Sequence, residues 1–207
     1  MKDGELMRVW GASERPDLQD RLDDAFVMGT RRTDAQDPIA LLQQLVEVAA
    51  RAISPGINDP FTAVACIDWI TAALAKLAVE YTPSAYRYDD KGALRMIYPP
   101  TTFGEFADAA FDPLREYGRT MVEIDVRLLQ SIEAVAKHTL LPANRECLSR
   151  HARRIYDDAM EHLSNANDRE RVTKQFRTTM SALRHDDPAS LPAQESLHRV
   201  PHRPDDR

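Results

Sequence analysis

The sequence predicts an all-α fold of about seven helices with one small β-hairpin. Along most of the chain, apolar residues recur at spacings of three and four, which is the period of a helix with one buried face. Two pairs, Asp37-Pro38 and Asp59-Pro60, place a capping side chain before the residue best suited to the first helical position. Residues 85–98 instead alternate with the period of a strand. We therefore expect helices packed antiparallel through short connections.

The chain begins with a strand-like stretch and a short helix. Residues 4–10 alternate loosely between apolar and polar side chains and end before Gly11, as a strand without partners would. Within 15–28, apolar residues such as Leu22 recur at helical spacing, and Gly29 ends the pattern. We expect a lone strand followed by the first helix.

The next two helices are predicted for 38–53 and 60–81. Both are rich in apolar residues, and the first is apolar around much of its circumference, so we expect the pair at the centre of the bundle. Asp68 lies within the apolar surround of the second helix, where a buried carboxylate needs a partner. We expect an ion pair with an arginine from another helix. The alternative is a catalytic acid.

A β-hairpin is predicted for 85–98. Tyrosine and aliphatic residues alternate on both sides of a turn at 89–92 that contains Gly92. A two-stranded hairpin is marginally stable alone. We therefore expect it to lie on the helical body or on a neighbouring subunit.

The following helix begins with a capping box formed by Thr102 and Glu105. Pro113 then interrupts the pattern, because it cannot donate to the carbonyl four residues earlier. We expect a kink or a fresh start at that residue. Beyond it, an apolar stripe continues to an end near His138, with Gly118 as a loose point within it.

Two more helices complete a predicted helical domain at 14–184. One begins at Pro142 and carries interleaved opposite charges, which normally mark a solvated face. The other begins where Asn167 and Glu170 can form a cap. Residues 185–207 hold prolines and charges but few apolar side chains, so we expect a disordered tail.

Charge and composition exclude several classes of function. A net charge of −6 argues against a nucleic-acid surface, which depends on clustered Lys and Arg. Cys66 and Cys147 lie on apolar helical patterns far apart, which predicts buried thiols in a reducing compartment. We find neither the ~20 uninterrupted apolar residues of a membrane span nor a signal pattern. We expect the chain as given to be soluble and cytoplasmic.

The sequence carries no recognisable catalytic motif. Nucleophile elbows, phosphate loops, dinucleotide fingerprints and paired metal motifs are all absent from it. Cys147 and His151 have the spacing of two metal ligands on one helix face, but the sequence supplies no further ligand. We therefore expect no catalytic residue, no metal and no cofactor. The alternative is a hydrolase that uses Asp59 or His151 as its base.

One stretch resembles a known family. Residues 51–63 read Arg-Ala-Ile-Ser-Pro-Gly-Ile-Asn-Asp-Pro-Phe-Thr-Ala, which is similar to the signature of the bacterial domain of unknown function 2254, a family of predicted membrane proteins. The likeness extends more loosely through 31–38, 88–95 and 110–118. It covers most of the chain, roughly 1–184.

The resemblance implies a soluble C-terminal domain of a membrane protein, without an assigned chemistry. In the family, residues 1–13 correspond to the end of a β-rich segment that follows the membrane helices, so we expect a remnant of that segment here. The resemblance also implies membrane association of the full-length protein. We expect a regulatory or assembly domain, whose partner is a second copy or a membrane-embedded segment.

The candidate ligand site lies at the helix corner within this signature. It combines polar side chains of the corner with two from another motif of the family, namely Arg51, Ser54, Asn58, Asp59, Arg115 and Tyr117. Two guanidinium groups beside a capped loop would hold a small carboxylate or phosphate by bidentate hydrogen bonds.

The alternative for this corner is purely structural. In that case Asp59 caps the second helix and Gly56 supplies a positive φ in the turn. Arg51 and Arg115 would then pair with buried carboxylates of the chain, such as Asp59, Asp68 or Asp112, instead of with a ligand.

Overall fold

The structure, a computed structural model, describes residues 21, 38–79, 84–139 and 141–184. These residues form six helices and one two-stranded antiparallel sheet, in the order α1 (Pro38–Ala52), α2 (Pro60–Val79), β1 (Tyr86–Tyr88), β2 (Leu94–Ile97), α3 (Phe103–Gly118), α4 (Val122–Ala136), α5 (Pro142–His162) and α6 (Ala166–Arg184). The predicted all-α fold with one hairpin is confirmed. The strand predicted at 4–10, the tail at 185–207 and, apart from residue 21, the helix predicted at 15–28 lie outside the described residues.

Helix α4 forms the centre of the bundle. It packs against α2, α3, α5 and α6. Five of its branched aliphatic side chains are completely buried, namely Ile124, Leu128, Leu129, Ile132 and Val135. Because neighbours surround the helix, even its polar residues Asp125 and Ser131 are buried.

The prediction that 38–53 and 60–81 form the centre is wrong. Helix α1 leaves Val48 exposed, and on α2 Phe61 is 86% exposed and Trp69 is 70% exposed. The period of a pattern identifies an apolar face, but it does not determine which apolar faces find a partner. The apolar stripe of α4 is less continuous than those of α1 and α2, yet it is the one that the other helices cover.

Asp68 on α2 is exposed, so the prediction that it is buried is wrong. The predicted partner is nevertheless present, because the Asp68 carboxylate pairs with the guanidinium of Arg127 on α4. Both side chains are partly solvated, and such pairs contribute little to stability. The pair therefore joins α2 to α4 at the surface.

The break between α3 and α4 lies after Gly118, whereas the sequence predicted it at Pro113. Helix α3 continues through Pro113 to Gly118. A Cβ atom added to Gly118 would lie 2.5 Å from Cγ2 of Ile124, a distance that bonded neighbours alone can reach. The Met121 amide donates to the Gly118 carbonyl at 2.7 Å as the chain turns. Glycine thus permits α4 to fold back closely against the end of α3.

The hairpin forms as predicted and its turn is held by one carboxylate. Gly92 has a φ of +78°, which favours glycine. One oxygen of Asp89 accepts from the amides of Lys91 and Ala93, each at 2.9 Å, and the other accepts from Nε of Arg95 at 2.7 Å. Both strands are exposed along their length.

The predicted N-terminal cap is confirmed for α3 but not for α6. The capping box is confirmed, since the Glu105 amide donates to Thr102 Oγ1 at 3.3 Å and the Thr102 amide to Glu105 Oε2 at 2.6 Å. Helix α6, however, begins at Ala166. The Asn167 amide donates to Oδ1 of Asn165 at 2.8 Å, so Asn165 supplies the cap that was predicted for Asn167.

We expect Gly118→Ala to destabilise the protein by about 1 to 3 kcal/mol, because the new methyl group overlaps the side chain of Ile124. The matched control is Gly56→Ala, where an added Cβ has no neighbour within 4 Å. That change should alter the free energy of unfolding by no more than about 0.5 kcal/mol. Urea denaturation of both variants measures the difference, and equal effects would contradict the close approach of the two helices.

Candidate functional site

The corner between α1 and α2 is a tight, hydrogen-bonded turn. The amides of Ile57 and Asn58 donate to the Ser54 carbonyl at 3.0 and 2.9 Å, and the Asp59 amide donates to the Ala52 carbonyl at 2.8 Å. The positive φ lies at Asn58, at 50°, and not at Gly56, the residue that the sequence suggested could adopt it. Asparagine tolerates this region better than most residues.

Asp59 is the N-cap of α2, as its position before Pro60 predicted. One carboxylate oxygen accepts from the Thr62 amide at 3.1 Å, and the other accepts from the Thr62 hydroxyl at 2.5 Å. These two hydrogen bonds, the one from the hydroxyl above all, lower the pKa of the Asp59 carboxyl. An ionised carboxylate at this position also interacts favourably with the helix dipole.

A groove of about 790 Å³ opens beside the corner, between α1 and α3. Its walls include three of the six predicted site residues, Arg51, Ser54 and Tyr117. Apolar side chains of both helices complete the lining, among them Val46 and Pro113. The sequence therefore identified two parts of one concave surface, which we call the corner groove.

The other three predicted site residues do not line the corner groove. Asn58 takes part in the hydrogen bonds of the turn, and Asp59 caps α2. Arg115 lies on α3 and pairs with Asp158 of α5, with Asp112 3.9 Å from its Nε. The predicted clamp of two guanidinium groups is therefore not formed. The structural alternative applies to Arg115, whose partners are carboxylates of the chain.

Arg51 is the cationic group of the corner groove. Its side chain is exposed and makes no ion pair with the residues that the structure describes. Ser54 donates its hydroxyl proton to the Arg51 carbonyl at 2.7 Å, which fixes the end of α1. Glu47, one turn earlier on α1, also lines the groove, so the wall carries a positive and a negative charge side by side.

A second group of polar side chains lies between α3 and α5, and we call it the polar seam. Helix α3 supplies carboxylates and α5 supplies mostly basic groups, the members being Asp108, Asp112, Arg115, Arg150, His151, Arg154 and Asp158. The sequence suggested that the charges of α5 form a solvated face with pairs along the helix. Most of these side chains are exposed, as predicted, but Arg150, Arg154 and Asp158 form their ion pairs across to α3 and not along α5.

His151 is the most deeply buried member of the polar seam, with no exposed surface. Its Nε2 lies 2.8 Å from Oδ1 of Asp108, and its ring packs against Phe111 with 5.3 Å between the centroids. Its Nδ1 has no hydrogen-bond partner among the described residues. Burial lowers the pKa of His151, although Asp112 and Asp108 oppose this shift.

Asp125 lies on α4 beside the end of the polar seam and is also completely buried. Neither of its carboxylate oxygens has a hydrogen-bond partner within the described part of the chain. Burial, and next the negative charge of Asp158, raise the pKa of Asp125 to about 7. Near neutral pH this carboxyl is therefore partly protonated.

Sequence reasoning named Asp112 as a possible partner of Arg115, but it missed Asp108 and Asp125. The spacing of four between Asp108 and Asp112 matches that between Arg150 and Arg154, which is the signal for two helices joined by ion pairs. Asp125 follows a residue of the apolar stripe of α4. A carboxylate adjoining such a stripe is a candidate for burial.

The fold and its polar groups define the protein as a small helical domain in which a cluster of ion pairs joins α3 to α5. The chain belongs to the DUF2254 family, described as a predicted membrane protein, whose sequence profile matches residues 1–134. This match includes the corner, the hairpin and α3. The family resemblance predicted from the corner signature is thereby confirmed.

Curated relatives of this chain carry no assigned function. An uncharacterized protein of Mycobacterium bovis and two of Mycobacterium tuberculosis are each 30% identical to it over 145 residues. The aligned part is 70% of this chain and 28% of each relative, so the chain spans little more than a quarter of their length. No solved structure matches the chain.

Among the described residues, α2 alone has the length and composition of a membrane span, with a mean hydropathy of 1.6. Asp68 and Lys76 interrupt its apolar run, so α2 does not contain the ~20 uninterrupted apolar residues that the sequence was searched for. A single helix of this kind is weak evidence for a span, because core helices of soluble proteins have the same properties. Here α2 packs one face against the bundle and carries the ion pair of Asp68 on the outside.

We expect the stability of the protein to fall between about pH 4 and about pH 7 through Asp125. Its pKa is 3.8 ordinarily and about 7 in the folded protein, so the folded form binds the proton more tightly. Below the pKa of the unfolded form, protonated Asp125 makes its full contribution to the free energy of unfolding. That contribution is lost as the pH rises through the pKa of the folded form. The loss is on the order of 4 kcal/mol.

Asp125→Asn removes this ionisation while it preserves the shape of the side chain. The free energy of unfolding, measured with urea at about pH 5 and about pH 8, should then change less with pH than in the wild type. The comparison of the two proteins removes the effect of groups that titrate in both, such as His151. Equal pH dependence in the two proteins would show that Asp125 keeps its ordinary pKa.

Proposed function

We propose that this chain is a regulatory or assembly domain of a membrane protein and binds a small anionic ligand in the corner groove. The observation that carries the proposal is the exposed guanidinium of Arg51, which lines the groove together with Ser54 and Tyr117. A volume of about 790 Å³ suits a small molecule. The ligand class is a carboxylate or a phosphate.

The chemistry of the groove supports this class of ligand. The planar guanidinium of Arg51 can donate two parallel hydrogen bonds to a carboxylate or phosphate. The Tyr117 side chain offers a phenolic donor from the opposite helix. Glu47 on the same wall favours a ligand that carries a cationic group beside its anionic one.

A hydrolase that uses Asp59 or His151 has less support. Both oxygens of Asp59 accept hydrogen bonds as the cap of α2, and the lowered pKa makes it a weak base. His151 has no exposed surface through which a substrate could reach it. Neither residue lines the corner groove.

Assembly with a second copy is supported by exposed apolar side chains. On the outward face of α2, Phe61, Trp69 and Val79 are all exposed. The hairpin exposes a further set, namely Tyr86, Tyr88, Leu94, Met96, Ile97 and Tyr98. Exposed apolar side chains that share one face of a helix are candidates for a surface that binds a partner.

A cytoplasmic position is supported by the cysteines. Cys66 and Cys147 are both free and buried, on α2 and α5. Unpaired thiols are typical of reducing compartments, where disulfides rarely persist. On this proposal the domain faces the cytoplasm.

We expect an anionic ligand to raise the melting temperature of the wild type in a thermal-shift screen of carboxylates, phosphates and amino acids. A ligand at a hundred times its dissociation constant stabilises by about 2.7 kcal/mol. Arg51→Lys should keep the fold and lower the affinity for that ligand, because an ammonium group cannot reproduce the bidentate contact.

The matched control for this screen is Arg153→Lys, an exposed arginine on α5 away from the groove. It should bind the ligand as the wild type does. If no anion shifts the wild type, or if both variants lose the ligand equally, the corner groove is not the site.

We expect size-exclusion chromatography with light scattering to show self-association that rises with concentration. The double variant Phe61→Glu with Trp69→Glu places charges on the outward face of α2 and should shift the protein towards the monomer. Val48→Glu on α1 is the control, since it adds a charge at another exposed apolar position. A wild type that remains monomeric at high concentration would contradict assembly through α2.

A further inference from the structure

The polar seam contains three side chains that together form a potential metal site. Asp108 on α3 and Cys147 and His151 on α5 each present one ligand atom, and these atoms lie within 4.8 Å of one another. We propose that Asp108, Cys147 and His151 bind a divalent transition metal of the zinc class. A carboxylate, a thiolate and an imidazole are all zinc ligands, and thiolate disfavours calcium and magnesium.

The distances need only small adjustments to meet a metal. Zinc ligands lie at about 2.0 to 2.3 Å from the ion, which places tetrahedral ligand atoms roughly 3.2 to 3.8 Å apart. His151 Nε2 and Asp108 Oδ1 are 2.8 Å apart and would separate slightly. Cys147 Sγ lies within 4.8 Å of both and would move inward. Cys147 and His151 are one helical turn apart, so they already face the same side of α5.

Asp112 supplies the outer partner that a metal-bound histidine normally has. A ligating histidine usually donates its second ring N–H to a carboxylate, which fixes the orientation of the ring. Nδ1 of His151 has no hydrogen-bond partner among the described residues, and Oδ1 of Asp112 is 3.7 Å from it. Arg154 holds the same Asp112 oxygen at 3.2 Å. Asp112 is therefore a positioning residue of this site.

In this structure the guanidinium of Arg150 interacts with two of the proposed metal ligands. Its Nη2 is 2.9 Å from Oδ1 of Asp108 and 3.5 Å from Sγ of Cys147. About half of its side chain is exposed, so it can turn into solvent when a metal binds. A metal and this guanidinium are expected to compete for the same two ligands.

The three protein ligands would leave one coordination position of the metal open. Three protein ligands leave the fourth position of a tetrahedral ion for water or a substrate, which distinguishes catalytic from structural zinc sites. The Asp108 side chain is about half exposed, so an ion can enter from that side although Cys147 and His151 are buried. Sequence reasoning expected no metal because the third ligand comes from a different helix.

The test uses tag-free protein and the metals alone. After treatment with a chelator, the wild type should bind one equivalent of Zn²⁺ in equilibrium dialysis and melt at a higher temperature with it. Co²⁺ should give the near-ultraviolet absorption of a cobalt–thiolate bond. The histidines of the tail cannot produce that absorption. Cys147→Ser should abolish it, whereas the control Cys66→Ser, at the other buried cysteine, should retain it.

Three further variants test the proposal. Asp108→Asn should weaken Zn²⁺ binding, and Asp112→Asn should weaken it by about 10- to 100-fold while the cobalt spectrum remains. Arg150→Gln should strengthen binding, because it removes the competing cation. Circular dichroism checks the fold of each variant. A wild type without the cobalt–thiolate absorption, or folded Asp108→Asn and Cys147→Ser variants that bind Zn²⁺ as the wild type does, would overturn it.

Discussion

The burial of α4 is the constraint on which the rest of the structure depends. This helix packs against α2, α3, α5 and α6, and most of its aliphatic side chains have no exposed surface. The close approach at Gly118 places α4 against the end of α3. Helix α3 in turn presents its carboxylates to α5. The polar seam thus exists because two helices that cover α4 are held side by side.

Local sequence signals predicted the local structure well. The hairpin turn with Gly92, the capping box at Thr102 and the start of α2 at Pro60 each depend on residues close together in the chain. Their physical causes are hydrogen bonds and backbone preferences that act over a few residues. Pro113 was misjudged because surrounding packing tolerates the loss of one helical hydrogen bond. That packing is not visible in a local pattern.

The candidate site was predictable only in part, for the same reason. Arg51 and Ser54 belong to one signature, and their meeting with Tyr117 followed from the family resemblance. Arg115 lies only two residues before Tyr117, yet it faces α5 instead of the groove. A helix separates residues two apart by about 200°, so two members of one motif can serve opposite surfaces. Asp108 was missed because its relation to Cys147 is purely tertiary.

Asp125 makes folding a reaction that takes up a proton. Because its pKa is about 7 in the folded protein and 3.8 ordinarily, the folded form at neutral pH holds about half a proton that the unfolded chain has released. That half proton is exchanged with the buffer, so at neutral pH unfolding changes the ionisation of about one buffer molecule for every two protein molecules. The calorimetric enthalpy of unfolding must then include the ionisation heat of the buffer. It will differ between phosphate and Tris even though every contact within the protein is the same.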